Sequence, residues 1–194
     1  NVTLKAGTNT TKSGFIGGYS HGNATINIRN CTVEKGVTVG CDGNESYVGS
    51  FGGEYNGSID GCVSYATVKG KSFVGGILAD KGQTMGPCIV RNCKFYGNIE
   101  ATGDYVGGIM GCGYGGTVWG WHSAPNSPLP SIQNCIMEGN VKGRKGVGGI
   151  LGAECATMTD VNNGIGLIQN NFVTGKITGE SSVGGIVGLL ENMG

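Results

Sequence analysis

The chain is poor in charge. Its 194 residues include 13 basic and 13 acidic side chains, and the formal net charge is zero. So balanced a set offers no electrostatic footprint for nucleic acid. No apolar run approaches the roughly 20 residues that a membrane helix needs, so no membrane insertion is expected. Only two histidines occur, His21 and His122, far apart, and there is no His-Glu-x-x-His zinc signature. Helical periodicity is also missing. No segment places apolar residues at helical spacing over three turns, and glycine interrupts nearly every window. Residue 1 opens in mid-pattern without a signal segment, so the chain reads as a mature or excised piece of a longer product.

What is abundant is glycine, 41 residues against only 4 prolines and without a collagen triplet, so it marks turns rather than a triple helix. One phrase recurs through it. Phe73-Val74-Gly75-Gly76-Ile77 returns as Tyr105-Val106-Gly107-Gly108-Ile109, Gly146-Val147-Gly148-Gly149-Ile150 and Ser182-Val183-Gly184-Gly185-Ile186. Looser copies are Tyr47-Val48-Gly49-Ser50-Phe51 and Phe15-Ile16-Gly17-Gly18-Tyr19. After each phrase come a loop of variable length and a second run, Ile28-Arg29-Asn30-Cys31, Ile59-Asp60-Gly61-Cys62, Val90-Arg91-Asn92-Cys93, Ile132-Gln133-Asn134-Cys135 and Ile168-Gln169-Asn170-Asn171. A β-branched aliphatic closes the unit at Val37, Val68, Ile99, Val141 and Ile177. Residues 1–13, with Val2 and Leu4 alternating against polar neighbours, read as the closing strand of an earlier repeat.

Short β-branched runs bounded by Gly or Asn are strand-and-turn chemistry. Units of this length in series predict an all-β fold, a right-handed parallel β-solenoid of five to six coils with three short strands each. Residues 1–194 form a single solenoid segment. One coil alone cannot fold, because its few inward aliphatics do not offset the backbone entropy of ordering it, and stacking closes the core from both sides. The glycine pair is expected at a corner, where a tight bend demands a positive φ or a crowded conformation.

The unit "Val-Gly-Gly-Ile-x-Gly … Ile-x-Asn-Cys-x-x-x-Gly-x-Val-x-Gly" resembles the GLUG-motif repeat family of bacterial surface and secreted proteins. Gly108-Ile109-Met110-Gly111, Gly149-Ile150-Leu151-Gly152 and Gly185-Ile186-Val187-Gly188 match it best, whereas Gly76-Ile77-Leu78-Ala79 departs at its last position. The resemblance covers nearly the whole chain. It implies an extracellular or cell-surface location and a stalk or adhesive role, and it carries no catalytic residue across.

Eight cysteines divide into two sets. Cys31, Cys62, Cys93 and Cys135 share one repeat position and should form a ladder of small buried side chains along one face, continued by Asn171. The preceding asparagines, Asn30, Asn92, Asn134 and Asn170, are expected to satisfy turn backbone groups. Cys41, Cys88, Cys112 and Cys155 lie outside that position. Of these, Cys112 and Cys155 follow the Gly-Gly-Ile phrase by similar offsets in adjacent coils, which makes them the first disulfide candidates. No metal or other cofactor is called for.

Residues 115–131 form an insertion with both tryptophans. Tyr114, Trp119, Trp121 and His122 are the candidate binding residues, since large aromatics on a proline-stiffened loop suit a sugar ring or a protein anchor. Packing of these tryptophans back on the solenoid wall is the competing expectation. Insertions at 79–88 and 153–166 occupy the same place in their coils, so all three should emerge on one side. Asp42, Asp60, Asp80, Asp104 and Asp160 share no repeat position, which argues against a polysaccharide-active β-helix enzyme. The expected function is an extracellular structural and adhesive domain presenting loops to a glycan or protein partner. The alternative is a filament subunit that associates end to end.

Overall fold

The computed structural model describes residues 3–4, 12–19, 24–40, 44–81, 87–113, 130–156 and 167–192. Every described element is a β-strand, and all pair in parallel with their counterparts one coil away. The parallel solenoid is thus observed, but the four coils from Val48 to Thr178 have five short strands each rather than three. The coil that starts at Val74 shows the plan: Val74–Gly75 in sheet 1, Leu78–Lys81 in sheet 2, Cys88–Arg91 in sheet 3, Lys94–Phe95 in sheet 4 and Asn98–Ala101 in sheet 5. Sheets 1, 3 and 4 have five strands, and sheets 2 and 5 have six. Thr3–Leu4 pairs with Thr38–Val39 in sheet 5, as expected of a closing strand.

Two residue types split the expected strands. The Ile-x-Asn-Cys run breaks at its third position, where Asn30, Asn92, Asn134 and Asn170 all adopt φ of 53–54° and Gly61 adopts 64°. An L-residue in the left-handed region ends a strand, and Asn and Gly reach that region at the lowest cost. The second break precedes the valine of sheet 1. Tyr47, Phe73, Tyr105, Gly146 and Ser182 all have positive φ there, so a left-handed residue, in three coils an aromatic one, sets the entry angle of the Val-Gly strand.

The glycines after that valine are needed for a different reason. Gly75, Gly76, Gly107 and Gly108 are not among the positive-φ residues. A Cβ on Gly107 would lie 1.8 Å from the Met110 carbonyl oxygen and 2.6 Å from the Gly152 amide. One on Gly152 would lie 2.4 Å from both the Gly111 carbonyl oxygen and the Val106 amide. Sheets 1 and 2 therefore press backbone against backbone: the column of Gly107 is glycine in all five described strands of sheet 1, whereas the column of Gly152 admits Ala79 two coils earlier. Crowding, and not torsion, explains the phrase.

The core is a set of columns, one residue per coil. In the coil that starts at Val74 the inward side chains are Val74, Ile77, Leu78, Val90, Cys93, Phe95 and Ile99, all buried in one continuous cluster. Each large aliphatic or aromatic among them contributes about 1.5–3 kcal/mol by leaving water.

The first repeat sits differently from its sequence alignment. Ser13 pairs with Val48, and Gly17 and Tyr19 pair with Gly52 and Glu54. The first copy of the phrase is thus Lys12 to Ile16, three residues earlier than the Phe15–Tyr19 match. Gly17-Gly18 corresponds to the later pair Gly52-Gly53, so the glycine doublet was aligned with the wrong glycines.

Candidate functional site

Sheet 2 ends and sheet 3 begins at one corner of the coil, and the three long insertions hang there. Their stems are Leu78–Lys81 with Cys88–Arg91, Met110–Cys112 with Ser131–Gln133, and Leu151–Ala156 with Leu167–Gln169. The stems are in register: Leu78 pairs with Met110 and Met110 with Leu151, while Ile89 pairs with Ser131 and Ser131 with Leu167. Successive insertions therefore start about 4.8 Å apart on one side of the solenoid, as the repeat offsets predict. In the coil before them a single residue, Asn56, links Gly52–Tyr55 to Gly57–Asp60, and the corner closes tightly with Gly57 at φ 122°. The candidate binding residues Tyr114, Trp119, Trp121 and His122 lie outside the described residues, as do His21 and Cys41.

At the stems of the insertions the corner is charged and largely buried. Lys81 is buried, 2% exposed. The Glu154 carboxylate extends over Gly113, where an added Cβ would lie 2.4 Å from its Oε2. Burial pushes the Glu154 pKa up to about 7, and the Lys81 ammonium draws it back only in part. The Cys88 thiol is buried beside them. Its pKa is pushed up to about 12 by burial, with Lys81 lowering it and Asp80 and Glu154 raising it. A carboxyl that titrates near neutrality thus stands at the stem of two insertions.

A second acidic feature escaped the sequence reading, which compared aspartates only with aspartates. Glu54 pairs with Asp80 in sheet 2, and Asp80 pairs with Cys112. All three stand three residues after Phe51, Ile77 and Ile109, so the shared offset was the available signal. An aromatic stack flanks this column. Tyr47 and Phe73 stack at 4.5 Å with 3° between ring planes, and Phe73 meets Tyr105 at 5.1 Å. Phe73 packs with Cys112 and Ala153, against which Tyr47, Tyr105 and Leu189 also lie. Burial, then the Asp80 and Glu54 carboxylates, push the Tyr47 phenol well above its ordinary range. Lys12 holds Glu54 at 2.7 Å and places its ammonium 3.5 Å from the centre of the Tyr19 ring. Both acids are buried, 1% and 0% exposed, so this column faces no open cleft.

The other aspartates lie elsewhere. Asp60 accepts from Arg91 Nε at 2.9 Å and Asn92 Nδ2 at 2.8 Å, and those bonds, Asn92 first, hold its carboxyl below the usual range. Asp104 accepts from Arg144 at 2.6 Å. Asp42 and Asp160 are outside the described residues. Among the described residues no group of three or more His, Cys, Asp or Glu is arranged to hold a metal ion.

The cysteine ladder forms. Cys62, Cys93 and Cys135 are fully buried thiols in the main core, and the half-buried Cys31 packs against it. Each single S–H has two carbonyls in reach, one two residues back and one a coil back: Asp60 at 3.5 Å and Ile28 at 3.8 Å for Cys62, Arg91 at 3.1 Å and Ile59 at 3.5 Å for Cys93, Gln133 at 3.3 Å and Val90 at 3.7 Å for Cys135. In the next coil Asn171 Nδ2 donates to Ile132 at 2.9 Å, so an amide takes the thiol's place in the same acceptor column. These side chains satisfy the backbone at the left-handed turn. The asparagines before them have another task, which corrects the expectation: Asn92 and Asn134 bond the side chains of Asp60 and Asn92 one coil back, and their conformation makes the turn. The thiols are coupled. The Cys135 thiol, more than burial, pushes Cys93 up to about 12, while its bond to Cys93 lowers Cys135.

The proposed Cys112–Cys155 bridge is not made. Cys112 is a thiol, paired opposite Ala153, so Cys155 falls two strand positions farther on, about 6.6 Å along the strand. Cys155 pairs through its backbone with Glu191 instead. No family model, curated protein or solved structure matches the chain.

Proposed function

We propose that this chain is a stiff structural and adhesive segment of an extracellular or cell-surface protein, which presents its insertions to a glycan or protein partner. One observation carries the reading: the stems of three long insertions are stacked in register at one corner of an otherwise regular coil. A solenoid that spends its irregular residues on one side builds a surface there. The resemblance to GLUG repeats points the same way, and Trp119 and Trp121 supply the aromatic area for the contact. The test is a binding screen against glycans and host-surface proteins with the Trp119→Ala/Trp121→Ala variant. Loss of the binding found for the native chain, with an unchanged melting temperature, supports the reading, and undiminished binding refutes it.

End-to-end assembly is the second reading, favoured by one set of side chains. Val183 and Ile186 occupy columns whose inner members are fully buried, yet they are 46% and 42% exposed. A second copy stacked in register would cover them, as would further coils of a longer chain. Sedimentation at increasing concentration tests the first case, and a concentration-independent monomer rules it out.

A further inference from the structure

The outer face of sheet 4 carries a column that neither the core nor the loop corner uses. Val33 pairs with Ser64, Ser64 with Phe95 and Phe95 with Met137, so the next residues, Glu34, Tyr65, Tyr96 and Glu138, follow one another along the solenoid. Tyr65 and Tyr96 stack with centroids 5.2 Å apart and 21° between planes. Stacking covers one face of each ring. Tyr65 also lines a groove of about 450 Å³ together with Thr32, Glu34, Lys35 and Val63. Lys35 Nζ stands 5.6 Å from the centre of that ring.

We propose that this groove is a binding subsite for a neutral hexopyranose unit. Its chemistry is an aromatic plate with a carboxylate on one side, an ammonium on another and a hydroxyl nearby. A pyranose has the matching form, with C–H groups on one face to lie on Tyr65 once the exposed Lys35 side chain swings from over the ring to its edge, and hydroxyls around its rim. Those hydroxyls can donate to Glu34 and accept from Lys35 in charge-assisted bonds. Other ligand classes fit worse. An anion meets Glu34, an organic cation meets Lys35, which already faces the ring, and a rimless aromatic would leave both charges without partners. Glu34, Lys35 and Thr32 are exposed, so the subsite is open to solvent. It is separate from the insertion corner and does not depend on the role of the tryptophans.

Saturation-transfer difference NMR on the whole chain tests it, with the methyl glycosides of glucose, galactose and mannose at millimolar concentration and tetramethylammonium as the cationic control. At least one glycoside should receive saturation from the tyrosine rings. Tyr65→Ala should weaken that glycoside by about tenfold, and Glu34→Gln by about fivefold. Trp119→Ala/Trp121→Ala should leave it unchanged. Glu34 is exposed, so its variant reports on binding even where Tyr65→Ala lowers stability. Three results overturn the proposal: no signal from any glycoside, full signal in both groove variants, or tighter binding of tetramethylammonium. Loss of signal in the tryptophan variant alone would instead move the sugar to the insertion.

Discussion

Two turns of the coil solve the same geometric problem by opposite means. At the turn between sheets 3 and 4 the chain bends through a left-handed residue, Asn in four coils and Gly61 in the fifth. That residue is exposed at Asn30, Asn92, Asn134 and Asn170, and its side chain is free to tie one coil to the next. At the turn between sheets 1 and 2 the glycines keep ordinary torsions, and what they lack is volume, because two sheets meet there backbone to backbone. The first turn asks for a conformation and the second for an empty space. The first is met by asparagine in four coils, whereas the column of Gly75 and Gly107 is glycine in all five described strands of sheet 1.

Exchanging the demands should break this contrast most visibly. Gly107→Ala puts a methyl group 1.8 Å from the Met110 carbonyl oxygen and 2.6 Å from the Gly152 amide, two backbone atoms that cannot move independently. Loss of about 3 kcal/mol or more is expected, above the usual range for overpacking because no flexible side chain can yield. Thermal unfolding should read it as a drop of ten degrees or more, or as failure to fold. Retention of the native melting temperature would mean that the two sheets are not in contact.

The corner that bears the insertions sharpens the comparison by adding charge. The Glu154 carboxyl has its folded pKa raised to about 7 from the ordinary 4.5. A raised pKa means that its contribution is fully present below about pH 4.5 and is lost as pH climbs through 7, up to about 3 kcal/mol in all. Glu154→Gln should therefore be more stable than the native chain at pH 8, and should flatten the dependence of unfolding free energy on pH between 4.5 and 7. An unaltered pH profile would show that the carboxylate is solvated.

At the left-handed turn the expected effects are smaller. Asn92→Ala should cost about 1–2 kcal/mol, because alanine keeps the Cβ but loses the short polar side chain that makes the left-handed region accessible to asparagine. Asn92→Gly should stay within about 1 kcal/mol of the native chain, since Gly61 already serves at the equivalent position. Equal losses for Ala and Gly in urea titrations would assign the role to the amide bond with Asp60 instead of to the torsion. Smallest of all should be Cys31→Ser. Its thiol is half-buried and bonds the Arg29 carbonyl, which a hydroxyl can also do, so a change of under about 1 kcal/mol is expected.

Much of this was legible in the residues. The inward columns could be read from the repeat, because Ile28, Ile59, Val90 and Ile132 recur beside a cysteine at fixed offset, and burial follows from period. The shared corner of the insertions could be read for the same reason. Glu54 and Asp80 were hidden by their different identities, although both follow the core residue by three. The Cys112–Cys155 pairing failed because an offset of similar length is not a register. Two positions along a strand carry a side chain about 6.6 Å away, beyond a disulfide's reach.

The sequence by itself determined the architecture. A phrase repeated at near-constant spacing, rich in β-branched residues and glycine, has no other way to bury its aliphatics than to stack coils in register. Only the tertiary structure decided what each glycine and asparagine was for. Torsion and crowding leave the same letter in a sequence, and they separate only when the neighbouring coil is in place to occupy the space.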